Sequence, residues 1–407
     1  MPSKKELEAV YLKRKEAERG IKPPATPKKV DPTFCLHRGK ETGETKQCPS
    51  CSGMVQLKVF SCAVPKHGTC TISKKIEGVS CCVSCPDRKP KPQIRPAILQ
   101  PAVPSTVLKE WNHTNFFPQL AGYRFNPGMT EWKDGYVFAW RDGWAGSNIW
   151  ICELNKQFSP ISQPKKLELS HKRANWGRED PRLFIFRDKL HVSFIGVVGR
   201  NRKVTQTHQL YARLGQDYDT EAIFAPNWPG VDPRRWEKNH LMHQDRPGGD
   251  LYAIYSLSPL KVAKLNGERA EWVSEAPGIP WLGGEPRGGS PPVRVGDELW
   301  IFCHDRFGSP SRYRTGLLTL DAKPPFSFRR IIPRPVLFAD LETKPANQYI
   351  AVTFVGASVR VGDDWITASG THDRHITFHK YRHEDLEKAL TPQRVVGIAS
   401  TNPMHRE

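Results

Sequence analysis

The chain has 407 residues, and 61 Lys and Arg against 42 Asp and Glu give it a formal net charge of +19. It contains no run of about 20 apolar residues, so the sequence predicts no membrane span. The first residues, MPSKKELE, lack the apolar segment of a secretory signal, which predicts a cytoplasmic protein. All 12 Trp lie at or after Trp111, so the main core is expected in the C-terminal three-quarters of the chain.

The composition divides the chain into four parts. Residues 1–30 predict a basic tail that is disordered or marginally helical, residues 31–88 a Cys-rich module, residues 89–110 a Pro-rich linker, and residues 111–400 one large domain. The basic N-terminal region suits a nucleic-acid or protein partner, and a solvated tail would explain the same composition.

Eight of the 10 Cys lie between Cys35 and Cys85. In a reducing compartment such clustering indicates metal binding rather than disulfides. Two C-x2-C pairs supply the four thiolates of a tetrahedral structural zinc site, and the remaining Cys, with a nearby His, can form a second one. Iron–sulfur ligation and disulfides stay open as alternatives. The predicted zinc ligands are Cys48, Cys51, Cys82 and Cys85, with Cys35, Cys62 and Cys70 for the second site.

From about Trp111 onward, short apolar runs rich in aromatic and β-branched residues recur, each following a turn that contains Asp or Gly. Such runs are typical of strands that follow tight turns. Another strand precedes each turn and a third follows, which gives five similar units and predicts an all-β five-bladed β-propeller. A β-sandwich is the alternative. The five turns are Asp134-Gly135, Asp188-Lys189, Gly249-Asp250, Gly296-Asp297 and Gly362-Asp363.

The first strand of each unit begins with polar residues, which in a propeller would converge on the central axis. The sharpest of these segments is Gly177-Arg178-Glu179-Asp180-Pro181-Arg182. A carboxylate there can act as a general acid while a flanking Arg positions substrate, and surface ion pairs in a turn are the alternative. Because side chains alternate along a strand, Glu179 and Asp180 cannot both face one pocket if both are extended.

The Glu-Asp-Pro-Arg segment, the later Lys238-Asn239 pair, the Gly-Gly-Ser-Pro-Pro-Val run and a Ser-Gly-x-x-Asp segment resemble glycoside hydrolase family 130. The family contains inverting β-mannoside phosphorylases and hydrolases on five-bladed propellers. The resemblance implies that Asp180 is the proton donor, acting through a sugar hydroxyl, and that phosphate or water is the nucleophile. Glu179, Glu285 and Asp305 are the candidates for a second catalytic carboxylate that would activate water.

The predicted ligand is an oligosaccharide or other glycan, with inorganic phosphate as a co-substrate if the enzyme is a phosphorylase. Two alternatives are a non-catalytic glycan- or protein-binding propeller recruited through the zinc module, and a nucleic-acid-associated protein. The predicted substrate-binding residues are Arg124, Arg178, Arg182, Arg200, Asn201, Lys238, Asn239, Arg287, His304, Asp305 and Asp373.

Overall fold

A computed structural model describes residues 38–47, 56–62, 69–73 and 100–392, the last range without 145, 201–202, 279–280, 282–283, 309–310, 346–347 and 349. The chain divides into two compact units. The smaller one contains an antiparallel sheet of β1 (Arg38–Gln47), β2 (Gln56–Cys62) and β3 (Thr69–Ser73), in that order. Cys62 and Cys70 lie in β2 and β3, whereas the other five predicted zinc ligands lie outside the described residues, so the zinc sites stay a prediction.

The larger unit is all-β, with each sheet built mainly from consecutive antiparallel strands. After β4 (Thr106–Trp111), the first sheet contains β5 (Phe125–Trp132), β6 (Gly135–Arg141), β7 (Ile149–Leu154) and β8 (Lys165–Lys166). The second contains β9 (Gly177–Phe186), β10 (Lys189–Arg200), β11 (Lys203–Leu214) and β12 (Thr220–Phe224). The third contains β13 (Leu241–Gln244), β14 (Leu251–Leu257), β15 (Leu260–Asn266) and β16 (Arg269–Ala276).

The rest of the larger unit forms two further sheets. One contains β17 (Arg287–Gly288), β18 (Val293–Val295), β19 (Glu298–Phe307), β20 (Ser311–Asp321), β21 (Phe328–Ile331), β22 (Leu337–Phe338), β23 (Ile350–Ala351) and the late β27 (Thr391–Pro392). The other contains β24 (Thr353–Val361), β25 (Asp364–Thr371) and β26 (His375–Arg382), with β4 as its outermost strand. The helix α1 (His383–Ala389) follows β26. No helix among the described residues is long and apolar enough to cross a membrane.

The sheets form a propeller-like arrangement. In the described part of the chain, four of them have four strands, as a propeller blade has, whereas the sequence predicted five blades. The predicted unit around Gly296-Asp297 lies instead in the eight-stranded sheet, because β22, β23 and the late β27 add strands to it. These added strands are only two residues long each, and the repeat pattern of the sequence does not reveal them.

The first strands of the sheets pack beside one another in chain order, β5 against β9 and β9 against β13, and β24 packs back against β5. The N-terminal strand β4 hydrogen-bonds to β26, so the last sheet joins both ends of the unit and leaves one fewer exposed edge. Apolar side chains fill the spaces between neighbouring sheets. Trp300 and Trp365, for example, stack at 5.1 Å between the eight-stranded sheet and the last one.

Candidate functional site

Three neighbouring strand heads share an unusual backbone conformation. Asn126, Asp180 and Asn239 have φ angles of 49°, 52° and 65°. Asn and Asp tolerate this left-handed region better than other residues with side chains, which explains why short polar residues occupy the three positions. The pairing register shifts beside Asn126 in β5 and Asp180 in β9. These irregularities turn the side chains out of the regular strand alternation, and Asn126 Nδ2 donates a hydrogen bond to Asp180 Oδ1 at 2.7 Å.

Both carboxylates of the Glu-Asp-Pro-Arg segment contact one guanidinium group. Arg141 at the end of β6 places Nη1 3.0 Å from Asp180 Oδ1 and Nη2 3.0 Å from Glu179 Oε1. The same guanidinium donates to the carbonyl oxygens of Gly143 and Trp144. Strand alternation would place Glu179 and Asp180 on opposite faces only if Asp180 were extended. Because the backbone of Asp180 is left-handed, the two adjacent carboxylates reach the same partner.

Asp180 is held in its ionised form. Burial by itself would raise the pKa of this carboxyl, but the nearby charges of Arg141, Arg182 and Lys238 and the hydrogen bond from Asn126 outweigh that effect and hold the pKa well below its usual range. At neutral pH, Asp180 is therefore a buried anion and a strong hydrogen-bond acceptor.

Arg182 connects the second, third and eight-stranded sheets. It is fully buried, and its guanidinium donates to the backbone oxygen of Asp180, to Asn239 Oδ1 at 3.0 Å, and to the carbonyl oxygens of Gly288 and Gly289. Burial lowers the pKa of Arg182 to about 10, so it stays charged at neutral pH. This side chain positions Asp180 relative to the neighbouring sheets and contributes to its ionisation.

A cavity of about 410 Å³ lies beside this charged cluster, between the third sheet and the eight-stranded sheet. Lys238 and Asn239 connect the two features, since Lys238 lowers the pKa of Asp180 and Asn239 accepts from Arg182. The cavity is lined by Arg235, Trp236, Lys238, Asn239, His240, Tyr255, Ser256, Leu257, Ser258, Glu285, Pro286, Arg287 and Gly288.

A second cavity of about 190 Å³ shares two lining residues with the first, Glu285 and Arg287. Asp305, which also lines it, is buried and forms two hydrogen bonds with Arg314, at 2.5 and 2.6 Å. The charge of Asp305 is thus offset within the protein. The other lining residues are His304, Arg306 and Tyr313.

Five predicted site residues lie around Asp180 and the larger cavity, namely Glu179, Arg182, Lys238, Asn239 and Arg287. Two more, His304 and Asp305, line the second cavity.

The remaining predicted residues that the structure describes line neither cavity. Arg124 is buried and donates to backbone carbonyl oxygens of residues 117, 120 and 122. Arg178 donates to the Leu169 carbonyl oxygen, and Arg200 is exposed at the end of β10. Asp373 is buried, and its backbone oxygen accepts from the indole of Trp144. Asn201 lies outside the described residues.

Sequence reasoning missed Arg141 and Arg314. Each is a buried Arg close to an apolar run, YVFAW in β6 and GLLTL in β20. A charged residue beside such a run needs a buried partner, and this signal was available from the sequence. The sequence did not identify the partner, because each Arg comes close to its carboxylate only through strand pairing and sheet packing.

Several Trp residues near strand ends could present a flat face to a sugar ring, and of these Trp236 is half-buried and lines the larger cavity. Trp140 and Trp281 are fully buried in the core, and Trp144 is nearly so. Trp176 is half-buried but does not line either cavity.

No protein-family model and no curated protein sequence matches the chain. Among solved structures, the chain is similar to the β-1,2-mannobiose phosphorylase from Listeria innocua in complex with β-1,2-mannobiose, with a TM-score of 0.52 and 16% identity over 66% of this chain and 92% of that one. A glycosyl hydrolase from Bacteroides ovatus gives a TM-score of 0.49 and 14% identity over 67% and 86% of the two chains. At this identity, the first similarity shows a shared fold.

Proposed function

We propose that the chain is a carbohydrate-active enzyme resembling glycoside hydrolase family 130, which cleaves or transfers a glycosyl unit with inversion. The observation that carries the proposal is the buried anionic Asp180, which Arg141 and Arg182 orient beside a polar cavity that also contains an aromatic face, Trp236. Carbohydrate sites combine such acceptors and aromatic platforms. The fold shared with a mannobiose phosphorylase makes β-mannosides the first substrates to test.

The ionisation of Asp180 sets the direction in which it handles protons. As an anion, Asp180 is ready to accept a proton from the hydroxyl of an attacking sugar, which is the step needed for glycosyl transfer. In the cleavage direction the leaving oxygen must be protonated, so Asp180 must first gain a proton and pass it on through a sugar hydroxyl. Its lowered pKa makes that protonated form scarce at neutral pH.

Either phosphate or water is the nucleophile in cleavage. Lys238, which lines the cavity and whose charge acts on Asp180, supplies a cationic group that suits inorganic phosphate. Glu179 is a second carboxylate bound to the same guanidinium as Asp180, and the Arg141 bridge fixes its position. We propose Glu179 as a candidate base for water, although its contact with Arg141 makes a positioning role equally consistent.

We also propose that the eight-stranded sheet serves as the fifth blade. Its β19, β20 and β21 form the same meander as the other sheets, and β17 and β18 both pair with β19 as one interrupted first strand. Pro291 and Pro292 lie at the interruption, where they cannot donate to the strand ladder.

The test is Asp180→Asn. The amide keeps the size and tolerates the left-handed backbone, but it cannot exchange a proton, so turnover of β-1,2-mannobiose with and without inorganic phosphate should fall by about a hundredfold or more. Circular dichroism and thermal unfolding should show a retained fold. Asp142→Asn is the matched control, since Asp142 binds Asn148 and Trp150 and lies outside both cavities.

Retained turnover in Asp180→Asn would contradict the assignment. Sugar phosphate formed only with phosphate would identify a phosphorylase, and hydrolysis indifferent to phosphate a glycosidase. Saturable sugar binding without turnover in the unmodified protein would favour the binding-module alternative.

We further propose that the N-terminal unit binds zinc through its Cys residues as a docking module, within a reducing cytoplasmic environment. Zinc content by atomic absorption should be one or two ions per chain. Replacing Cys48 and Cys51 with Ser should lower it, whereas the same change at the buried Cys152 should not. Unchanged zinc content would contradict the proposal.

A further inference from the structure

The walls of the two adjoining cavities carry an excess of positive charge. The charged lining residues are Arg235, Lys238, Arg287 and Arg306 on the positive side and Glu285 and Asp305 on the negative side. Asp305 is already bound through two hydrogen bonds by Arg314, which lines neither cavity. Glu285 therefore supplies the main opposing charge, and the cavities together form an electropositive cleft.

In the part of the chain that the structure describes, two of these cations form no ion pair with a carboxylate. Among the described residues, neither Arg235 nor Arg287 forms an ion pair, and both are exposed to the cavity. Arg235 lies 5.9 Å from the centre of the Tyr255 ring, which holds its guanidinium against the wall. The neighbouring Arg234, in contrast, forms an ion pair with Asp232 at the surface and lines neither cavity. Arg235 and Arg287 thus line the cavity, whereas Arg234, the sequence neighbour of Arg235, does not.

These two Arg are distinct from the cations that act on Asp180. Arg141, Arg182 and Lys238 are the charges that lower its pKa, and only Lys238 also lines the cavity. An attacking phosphate must sit close to the reacting sugar carbon, near the groups that surround Asp180. Arg235 and Arg287 therefore suit an anionic group carried by another part of the ligand.

A neutral oligosaccharide does not require this charge, since hydroxyl groups are bound by hydrogen bonds and aromatic faces. Guanidinium groups match phosphate and carboxylate oxygens with paired hydrogen bonds. Trp236 and Tyr255 in the same cavity supply apolar faces for a sugar ring. Building on the proposed function, we infer that the carbohydrate bound here is acidic and that Arg235 and Arg287 bind its phosphate or carboxylate substituent.

The test is calorimetric binding to the full chain. The probes are mannose, mannose 6-phosphate, glucuronic acid and inorganic phosphate, each at low and high ionic strength. We expect the two acidic sugars to bind about tenfold to a hundredfold more tightly than mannose at low salt, because a hydrogen bond to a charged group contributes this much when its partner is desolvated. High salt should reduce the difference.

Arg235→Gln and Arg287→Gln should each lower the affinity for the acidic sugars by about tenfold and leave the affinity for mannose unchanged. Arg234→Gln is the matched control and should change neither. Equal affinity for mannose and the acidic sugars would overturn the inference while leaving the proposed function intact. Inorganic phosphate that binds as tightly as mannose 6-phosphate and is weakened equally by both variants would also overturn it, in favour of a phosphate co-substrate. If no sugar binds, both the inference and the proposed function fail.

Discussion

Arg141 provides the most direct test of how the charged cluster is built. Its guanidinium bridges Glu179 and Asp180 at 3.0 Å each, and all three side chains are largely buried. Replacing Arg141 with Met removes the positively charged guanidinium, whose carbon lies 4.7 Å from the centre of the Phe125 ring, but keeps much of the apolar stem. The variant leaves two adjacent carboxylates buried without their shared partner.

Removing one member of a buried ion pair typically costs about 3–5 kcal/mol in the free energy of unfolding. A domain of this kind has about 5–15 kcal/mol in total, so Arg141→Met should remain folded at 25 °C with a much lower midpoint of urea unfolding. The loss should also depend on pH. Because the pKa of Asp180 is lowered, its ionised carboxylate stabilises the native state at pH values above the usual Asp pKa. This contribution is lost as pH falls from the usual Asp pKa towards the lowered pKa of the native state.

The assay is urea unfolding of the wild type and the variant at several pH values between neutral and acidic. The stability difference should be largest at neutral pH and should shrink as pH falls, because protonated carboxyls no longer need the guanidinium. Arg213→Met is the matched control, since Arg213 forms a half-exposed pair with Glu221 and should cost about 1 kcal/mol or less. A difference below about 1 kcal/mol for Arg141→Met, or one that does not change with pH, would refute the reasoning.

The remaining predictions concern rates and buried ionisable groups. The rate of glycoside cleavage should rise as pH falls from neutral, whereas the rate of glycosyl transfer should not, because the lowered pKa of Asp180 makes its protonated form scarce; parallel pH–rate profiles would contradict this. Burial raises the pKa of Glu237 to about 7, and a hydrogen bond from the backbone N–H of Gln209 partly offsets this effect. The native state should therefore lose about 3 kcal/mol of stability as pH rises from the pKa of Glu in the unfolded chain to 7. Glu237→Gln should abolish that loss in urea unfolding, and an unchanged pH dependence would show that Glu237 is not the group responsible. Arg182→Met should lower the midpoint of thermal unfolding more than Arg234→Met, because only Arg182 is fully buried and joins several sheets; equal midpoints would contradict this role.

The sequence supported the coarse architecture because strand alternation and turn chemistry are local. Each predicted turn from Asp134-Gly135 to Gly362-Asp363 lies between two paired strands of one sheet. The strand content of the eight-stranded sheet was not recoverable in the same way. The added strands β22, β23 and β27 are too short to carry a period, and their pairing with β20 and β21 depends on chain segments that meet only after folding.

The candidate site shows the same division. The Glu179-Asp180 pair stood out because two carboxylates between two Arg are unusual ahead of an apolar strand, and Lys238, Asn239 and Arg287 stood out as polar strand heads. Arg124 had the same appearance, yet its guanidinium is bound by nearby backbone carbonyl oxygens. Whether a polar strand head faces a cavity or the chain itself is decided by loop conformation, which local sequence does not determine.

By itself, the sequence determined that short antiparallel strands repeat along the large domain and that polar residues begin them, because both features depend on neighbouring residues. The tertiary structure decided which charges meet. It brought Arg141 from β6 to both carboxylates of β9, directed Arg182 to Asn239 and the eight-stranded sheet, and paired Asp305 with Arg314. Ionisation follows from such long-range contacts, since burial and opposing charges act through space, and the state of Asp180 could therefore be known only from the folded chain.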